Sequence, residues 1–185
     1  FLHLFEAKSS ANFSVPGSGK TSVILSFYEI LKSKGLADAL FVVGPINCFG
    51  SWKREFYKTL GRDSNRISLS ESKSTYQIRK YIYDADDLDS ELYTCFFQTL
   101  TNDVTKQKIV NFFRRSNFVF VVDEAHNIKK IDGIWSKALL KISELFKYKV
   151  ILTGTPRPNK HTDFYNYLDF LYPNQKILSS EEKSK

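Results

Sequence analysis

The chain has 185 residues, room for one ordinary domain. With 42% hydrophobic and 15% aromatic residues it can fill a core, which excludes disorder as its default state. Lys and Arg number 27 against 20 Asp and Glu, a formal charge of +7 that favours polyanionic partners.

Short apolar or β-branched runs alternate with amphipathic stretches. The first predicted strand covers residues 12–15 and leads directly into Pro16-Gly17-Ser18-Gly19-Lys20-Thr21. Val23, Ile24, Phe27 and Leu31 follow at helical spacing. Strands are predicted at 40–43 and 66–69 and a helix over 76–83; residues 84–91 then hold five carboxylates, a solvated loop by pattern. A strand over 92–97, a helix over 106–113 and a strand over 118–122 come next, the last running into Asp123-Glu124-Ala125-His126. Trp135, Leu139, Ile142 and Phe146 mark another helix. A strand at 149–152 ends in Thr153-Gly154-Thr155-Pro156, and a final helix spans 163–171. Strand–helix alternation with nearly continuous apolar strands predicts an α/β fold, a mainly parallel sheet covered on both faces. Residues 1–178 are expected to form one domain and 179–185 a polar tail or linker.

The two cysteines, Cys48 and Cys95, are far apart and lack His or Cys neighbours at ligand spacing. That argues against a disulfide scaffold and a structural zinc site, and fits a reducing interior. The apolar runs fall short of the ~20 residues a membrane helix needs. The N-terminus lacks the basic lead and apolar stretch of a secretion signal. An intracellular protein without a membrane partner is expected, in the cytoplasm or with nucleoid or nuclear DNA. The absence of methionine leads us to expect a piece of a longer chain.

Three segments carry chemistry. In the first, glycines let the backbone fold around phosphates, with consecutive N–H groups and a helix N-terminus facing the negative charge. Lys20 would reach the β- and γ-phosphates and the Thr21 hydroxyl would ligate Mg²⁺. The pattern's first glycine falls on Ser14. In the second segment, Asp123 could hold Mg²⁺ and Glu124 could polarise the water attacking a γ-phosphate, both delivered at a strand's carboxyl end. In the third, the Thr153 and Thr155 hydroxyls could hydrogen-bond to the acidic pair; alone, the segment would read as a Gly-Pro turn.

Gly-Ser-Gly-Lys-Thr, Asp-Glu-Ala-His and Leu-Thr-Gly-Thr-Pro together resemble motifs I, II and III of superfamily 2 helicases and translocases, most closely the Swi/Snf-type ATPases with their DEAH-like box. Residues 123–130 are similar to the extended second motif, and Asn159 fits the third, although Arg157-Pro158 is a local variation. Val42-Val43-Gly44-Pro45 followed by Trp52-Lys53-Arg54-Glu55-Phe56 resembles motif Ia, and residues 93–100 a loose Thr-Tyr-x-x-Leu strand end.

The resemblance implies the first of two RecA-like lobes, a P-loop NTPase sandwich, with ATP and Mg²⁺ as cofactors and the second lobe of the same polypeptide as partner. That lobe, with its arginine finger, is not encoded after Pro173, so the lone lobe is expected to bind ATP weakly and turn over below ~1 s⁻¹, since the finger is worth about 10³–10⁵ in rate. The family's adenine-reading glutamine has no counterpart, as no Gln precedes Gln77. His126, Thr153 and Thr155 would couple the nucleotide cleft to the other lobe. Lys53, Arg54, Gln98 and Thr99 would touch a nucleic-acid backbone, most simply double-stranded DNA. Against this, Lys53 and Arg54 read individually as solvated cations, and Trp52 as packed beneath its helix. His3 and His161 read as surface residues.

Two rivals remain. A P-loop kinase or GTPase would need a substrate lid or an Asn-Lys-x-Asp guanine reader, and neither is visible. A regulatory clamp that binds nucleotide without motor activity would have no need of Glu124.

Overall fold

The computed structural model describes residues 6–70, 90–101, 110–114, 116–128, 133–155, 163–173 and 175. The helix expected over 76–83 lies outside them, as do most of the 84–91 segment, residues 106–109, 129–130 and 156–159, His3, His161 and the 179–185 tail; residues 110–113 are helical, as expected.

Among the described residues six strands form one sheet: β1 (Ser9–Asn12), β2 (Ala39–Val43), β3 (Ile67–Ser68), β4 (Leu92–Cys95), β5 (Phe118–Val122) and β6 (Tyr148–Leu152). Their order is β1-β6-β5-β2-β4-β3 and every pairing is parallel. It is flanked by α1 (Lys20–Ser33), α2 (Ile46–Leu60), α3 (Ile134–Ser143) and α4 (Asp163–Leu171). Single 3₁₀ turns follow β4 (Phe97–Thr101) and β5 (Ala125–Ile128).

Strands β2, β5 and β6 are buried at every position, as a sheet covered on both faces demands. Alternation then sorts the side chains. Leu40, Val42, Val119, Val121, Val150 and Leu152 pack on α1 and α2, against Phe27, Tyr28, Trp52 and Phe56. Phe41, Val43, Phe118, Phe120, Val122 and Ile151 pack on the α3 and α4 side, against Leu139, Ile142, Phe146 and Phe170. The second layer is aromatic: Phe120 lies 5.1 Å from Phe41, 4.5 Å from Phe146 and 5.1 Å from Phe170, ring centre to ring centre. The three layers expected from the sequence are present, with a sheet that is wholly parallel among the described strands.

One strand differs from expectation. β1 is Ser9–Asn12, not 12–15. Phe13 and Val15 looked like strand residues but lie past its end. Phe13 packs edge-on to Phe164, 6.2 Å away, and Val15 is exposed. The strand stops because the Asn12 Oδ1 accepts both the backbone N–H and the hydroxyl of Ser14, a turn that competes with the ladder. Likewise the strand expected to run to residue 97 ends at Cys95 and passes into the 3₁₀ turn.

At the opposite, amino-terminal edge of the sheet a charged cluster ties α1 and α2 to β4. Arg62 donates to Glu29 and to both oxygens of Glu91, Lys32 pairs with Glu91 at 2.8 Å, and the Tyr28 hydroxyl donates to Glu91 Oε2 at 2.8 Å. Burial alone would raise the Glu91 carboxyl, but hydrogen bonds from Arg62, Lys32 and Tyr28 more than offset it and hold the group at about 2.

Candidate functional site at the carboxyl edge of the sheet

Because the strands run parallel, the segments after β1, β2, β5 and β6 emerge on one edge. There those after β1, β2 and β5 line a cleft of about 870 Å³, bounded by residues of the 16–21 loop, by α2 and by residues 123–127. Gly17 and Gly19 take φ of 78° and 79°, which side-chain-bearing residues rarely adopt, and Gly19 is the N-cap of α1. Ser14 does not enter that region, so the position needs no glycine. The Lys20 ammonium curls over the loop and donates to the carbonyls of Ser14 and Val15 at 2.7 and 3.0 Å. With three donors it keeps one for a further anion. Pro16, Gly17, Gly19, Lys20 and Thr21 all face the cleft; Ser18 closes the loop from behind, its N–H on the Val15 carbonyl at 3.3 Å.

Asp123 and Glu124 follow β5 into the same cleft. Asp123 extends the strand by one bond, its N–H on the Val43 carbonyl at 2.8 Å. The chain then turns sharply through Glu124, whose φ of 50° is left-handed, an unfavourable state for a residue with a Cβ. The turn is fixed locally: the Asp123 Oδ1 accepts the Glu124 N–H at 2.9 Å, and Asn127 donates backbone and side-chain N–H groups to the Glu124 carbonyl at 3.0 and 2.8 Å. Two buried side chains brace it from below. Ser136 of α3 and Asn166 of α4 both donate to the Ile128 carbonyl, at 2.8 and 2.9 Å.

β6 lies between β1 and β5, so the 153–155 turn is wedged between the loop and the acidic pair. On one side a Cβ placed on Gly154 would stand 2.8 Å from the Pro16 ring, so only glycine admits this approach. On the other side Thr153 and Thr155 place their hydroxyls 3.5 and 3.4 Å from His126 Nδ1, which is 3.1 Å from Glu124 Oε2. The threonines thus reach the acidic pair through His126, where the sequence led us to expect direct bonds.

Of the remaining predicted residues, Lys53 and Arg54 stand exposed on α2 and are not among the residues that line the cleft. Lys53 is 3.9 Å from Asp63, and Arg54 donates to Ser51 Oγ at 3.1 Å. Gln98 is exposed on the 3₁₀ turn after β4, while the Thr99 hydroxyl is engaged with Ser70 at 2.7 Å. Among the described residues no group of three His, Cys, Asp or Glu side chains forms a metal cluster, and no helix is long and apolar enough to cross a membrane.

Five contacts had no signature in the sequence reading. Trp52 is buried as expected, but its indole N–H also donates to Asp123 Oδ2 at 2.8 Å. Cys48 lies against the same carboxylate; burial first, then the Asp123 charge, push its thiol far above the ordinary value and keep it protonated. The Ser22 hydroxyl donates to Glu55, joining α1 to α2. The Asn166 and Ser136 braces complete the set. Each joins residues distant in sequence, which local spacing does not encode.

Comparison with known proteins agrees with this architecture. The ATP-dependent helicase fft1 of Schizosaccharomyces pombe is 29% identical over 158 residues, covering 85% of this chain and 16% of that protein. The ATP-dependent helicase FUN30 of Saccharomyces cerevisiae is 28% identical over 166 residues, covering 89% of this chain and 14% of that protein. The chain therefore spans about a sixth or less of the length of these relatives. In fold it matches the Sulfolobus solfataricus SWI2/SNF2 ATPase core in complex with dsDNA, with a TM-score of 0.74 at 24% identity, over 100% of this chain and 36% of that one. Residues 15–182, from the phosphate-type loop to beyond the last helix, match the SNF2-related domain, and the chain belongs to that family.

Proposed function

We propose that this chain is the ATP-binding and hydrolysing lobe of a DNA-dependent translocase of Swi/Snf type. The observation that carries the reading is the convergence of Lys20, Thr21, Asp123 and Glu124, from two strand ends, on one cleft. In this reading the backbone N–H groups of residues 17–21 bind the β- and γ-phosphates, and Lys20 gives its remaining donor to them. Glu124 accepts a proton from the attacking water, while His126 holds the Glu124 carboxylate and passes its position to Thr153 and Thr155. Mg²⁺ fits the donors present: the Thr21 hydroxyl and Asp123 carboxylate are hard oxygens opening on one cleft, and this ion takes one or two protein ligands while keeping its waters. When bound it would neutralise phosphate charge.

For the polyanion, α2 and the turn after β4 start from neighbouring strands at the same edge, and Lys53 and Arg54 on the helix and Gln98 on the turn all stand exposed. The loose Lys53–Asp63 pair is half exposed and contributes little, leaving the cation available to a phosphate backbone. Duplex DNA is the favoured track, as the matched Sulfolobus core was determined with it. A second RecA-like lobe would close the cleft and supply the missing cations.

Glu124→Gln in the full-length polypeptide tests this. A motor keeps ATP affinity and loses DNA-stimulated turnover, by about two to four orders of magnitude for a removed general base. Unchanged turnover would overturn the role of Glu124 and favour a clamp.

A further inference from the structure

The hydrogen bond from Trp52 to Asp123 joins the two halves of that proposal. α2 buries Phe49, Trp52 and Phe56 on one stripe and presents Lys53 and Arg54 to solvent. The indole of Trp52 is 1% exposed, so its N–H has no water to turn to and depends on a protein acceptor. That acceptor is Asp123 Oδ2 at 2.8 Å, while Oδ1 takes the Glu124 N–H at 2.9 Å. The protonated Cys48 thiol lies against the same carboxylate as a third donor. Two oxygens offer about four acceptor sites, so one remains for a cation in the cleft. The residue beside the exposed Lys53 therefore aims the group suited to hold the metal.

We propose that Trp52 is a positioning residue that ties the polyanion-facing side of α2 to the Asp123 carboxylate, so that DNA contact at Lys53 and Arg54 is felt in the cleft as altered Mg²⁺ affinity. The inference rests on the proposed function. α2 is anchored to the sheet through this stripe, and a shift of the helix under a bound phosphate backbone lengthens or shortens the Trp52–Asp123 bond. Charge-assisted hydrogen bonds are short and directional, which makes this one a sensitive link.

The test uses the full-length polypeptide and its Trp52→Phe variant, which keeps an aromatic ring and removes the donor. A fluorescent ATP analogue is titrated in EDTA and in graded Mg²⁺, with and without duplex DNA. We expect unchanged affinity in EDTA and unchanged DNA affinity, a Mg²⁺ requirement raised about tenfold from the lost bond to a charged acceptor, and loss of the DNA effect on that requirement. A general loss of structure would weaken the EDTA and Mg²⁺ arms alike and would refute the positioning role. An unaltered Mg²⁺ requirement would overturn it as well. A Trp135→Phe variant, which replaces a ring stacked on Phe97 at 5.5 Å, leaves Trp52 as the one indole of this domain. Its emission should shift when DNA binds; an unmoved spectrum in a DNA-bound protein refutes the link, even if Trp52→Phe fails to fold. If the unaltered protein binds neither nucleotide nor DNA, the proposed function falls first, and this inference with it.

Discussion

Gly154→Ala should damage nucleotide binding more than it damages the fold. The added methyl group would stand 2.8 Å from Cδ and 2.9 Å from Cγ of Pro16. Carbon atoms pack at about 3.5–4.0 Å, so the Pro16 ring would retreat by roughly 0.7 Å. Overpacking of this kind costs about 1–3 kcal/mol where the surroundings are rigid. Here the neighbour is an exposed loop, so most of the strain should be relieved by moving Pro16 and the loop it opens. Misplacing a binding group by ~1 Å can cost up to 10²-fold, and we expect affinity for an ATP analogue to fall about tenfold. The melting temperature should drop by no more than about 4 °C. Anisotropy titration and a thermal melt on the same sample read both quantities. Adding Pro16→Ala, which trims the ring, should restore part of the affinity; such a cycle isolates the contact. Full affinity in Gly154→Ala, or no recovery in the double variant, would refute the wedge between the two segments.

Three further outcomes follow from the packing. The Glu91 carboxyl, held at about 2 in the fold against 4.5 unfolded, contributes stability that is complete above pH 4.5 and is lost as pH falls toward 2, about 3 kcal/mol in all; urea melts between pH 6 and 3 should show the loss, and Glu91→Gln should flatten it. Lys149 gives the same sign in a higher pH window and for a different reason: it is 6% exposed, and burial pushes its ammonium down to about 8, with Glu144 opposing. The unfolded chain then holds more protons between pH 8 and 10.5, so stability should climb through that window and Lys149→Met should abolish the climb. Asn166→Ala removes a buried donor from the Ile128 carbonyl and should cost about 1–3 kcal/mol in a denaturant titration; a cost near zero would mean that Ser136 alone braces the turn after the acidic pair.

The sequence was informative wherever chemistry and local backbone coincide. Lys20 and Thr21 follow two glycines whose left-handed φ values are needed at that point of the chain, so spacing and residue type carried the loop. Asp123 and Glu124 follow five buried strand residues, a run that almost spells a parallel strand. β1 was misplaced because an edge strand with buried Ser9 and Ser10 has no apolar signature, whereas Phe13 and Val15 beyond it do. The Trp52 bond was invisible for another reason. Aromatic residues at helical spacing indicate burial, but the acceptor lies on another strand end, and only the order of strands brings it near. The same order, not the spacing of Thr153 and Thr155, places His126 between them and Glu124.

The position of β6 also bears on how the molecule assembles. β1 pairs with β6 alone among the described strands, Ser9 opposite Lys149, so β1 waits for a strand made about 140 residues later. Until β6 slots in, the loop after β1 has no rigid floor, and the cleft is open on the side that Gly154 later seals. Pairings between residues far apart in sequence are slow to form because the closure entropy comes before the contacts that offset it. On a ribosome the β2–β5 pair can zip early, while the support beneath the 16–21 loop arrives only when residues 148–155 emerge.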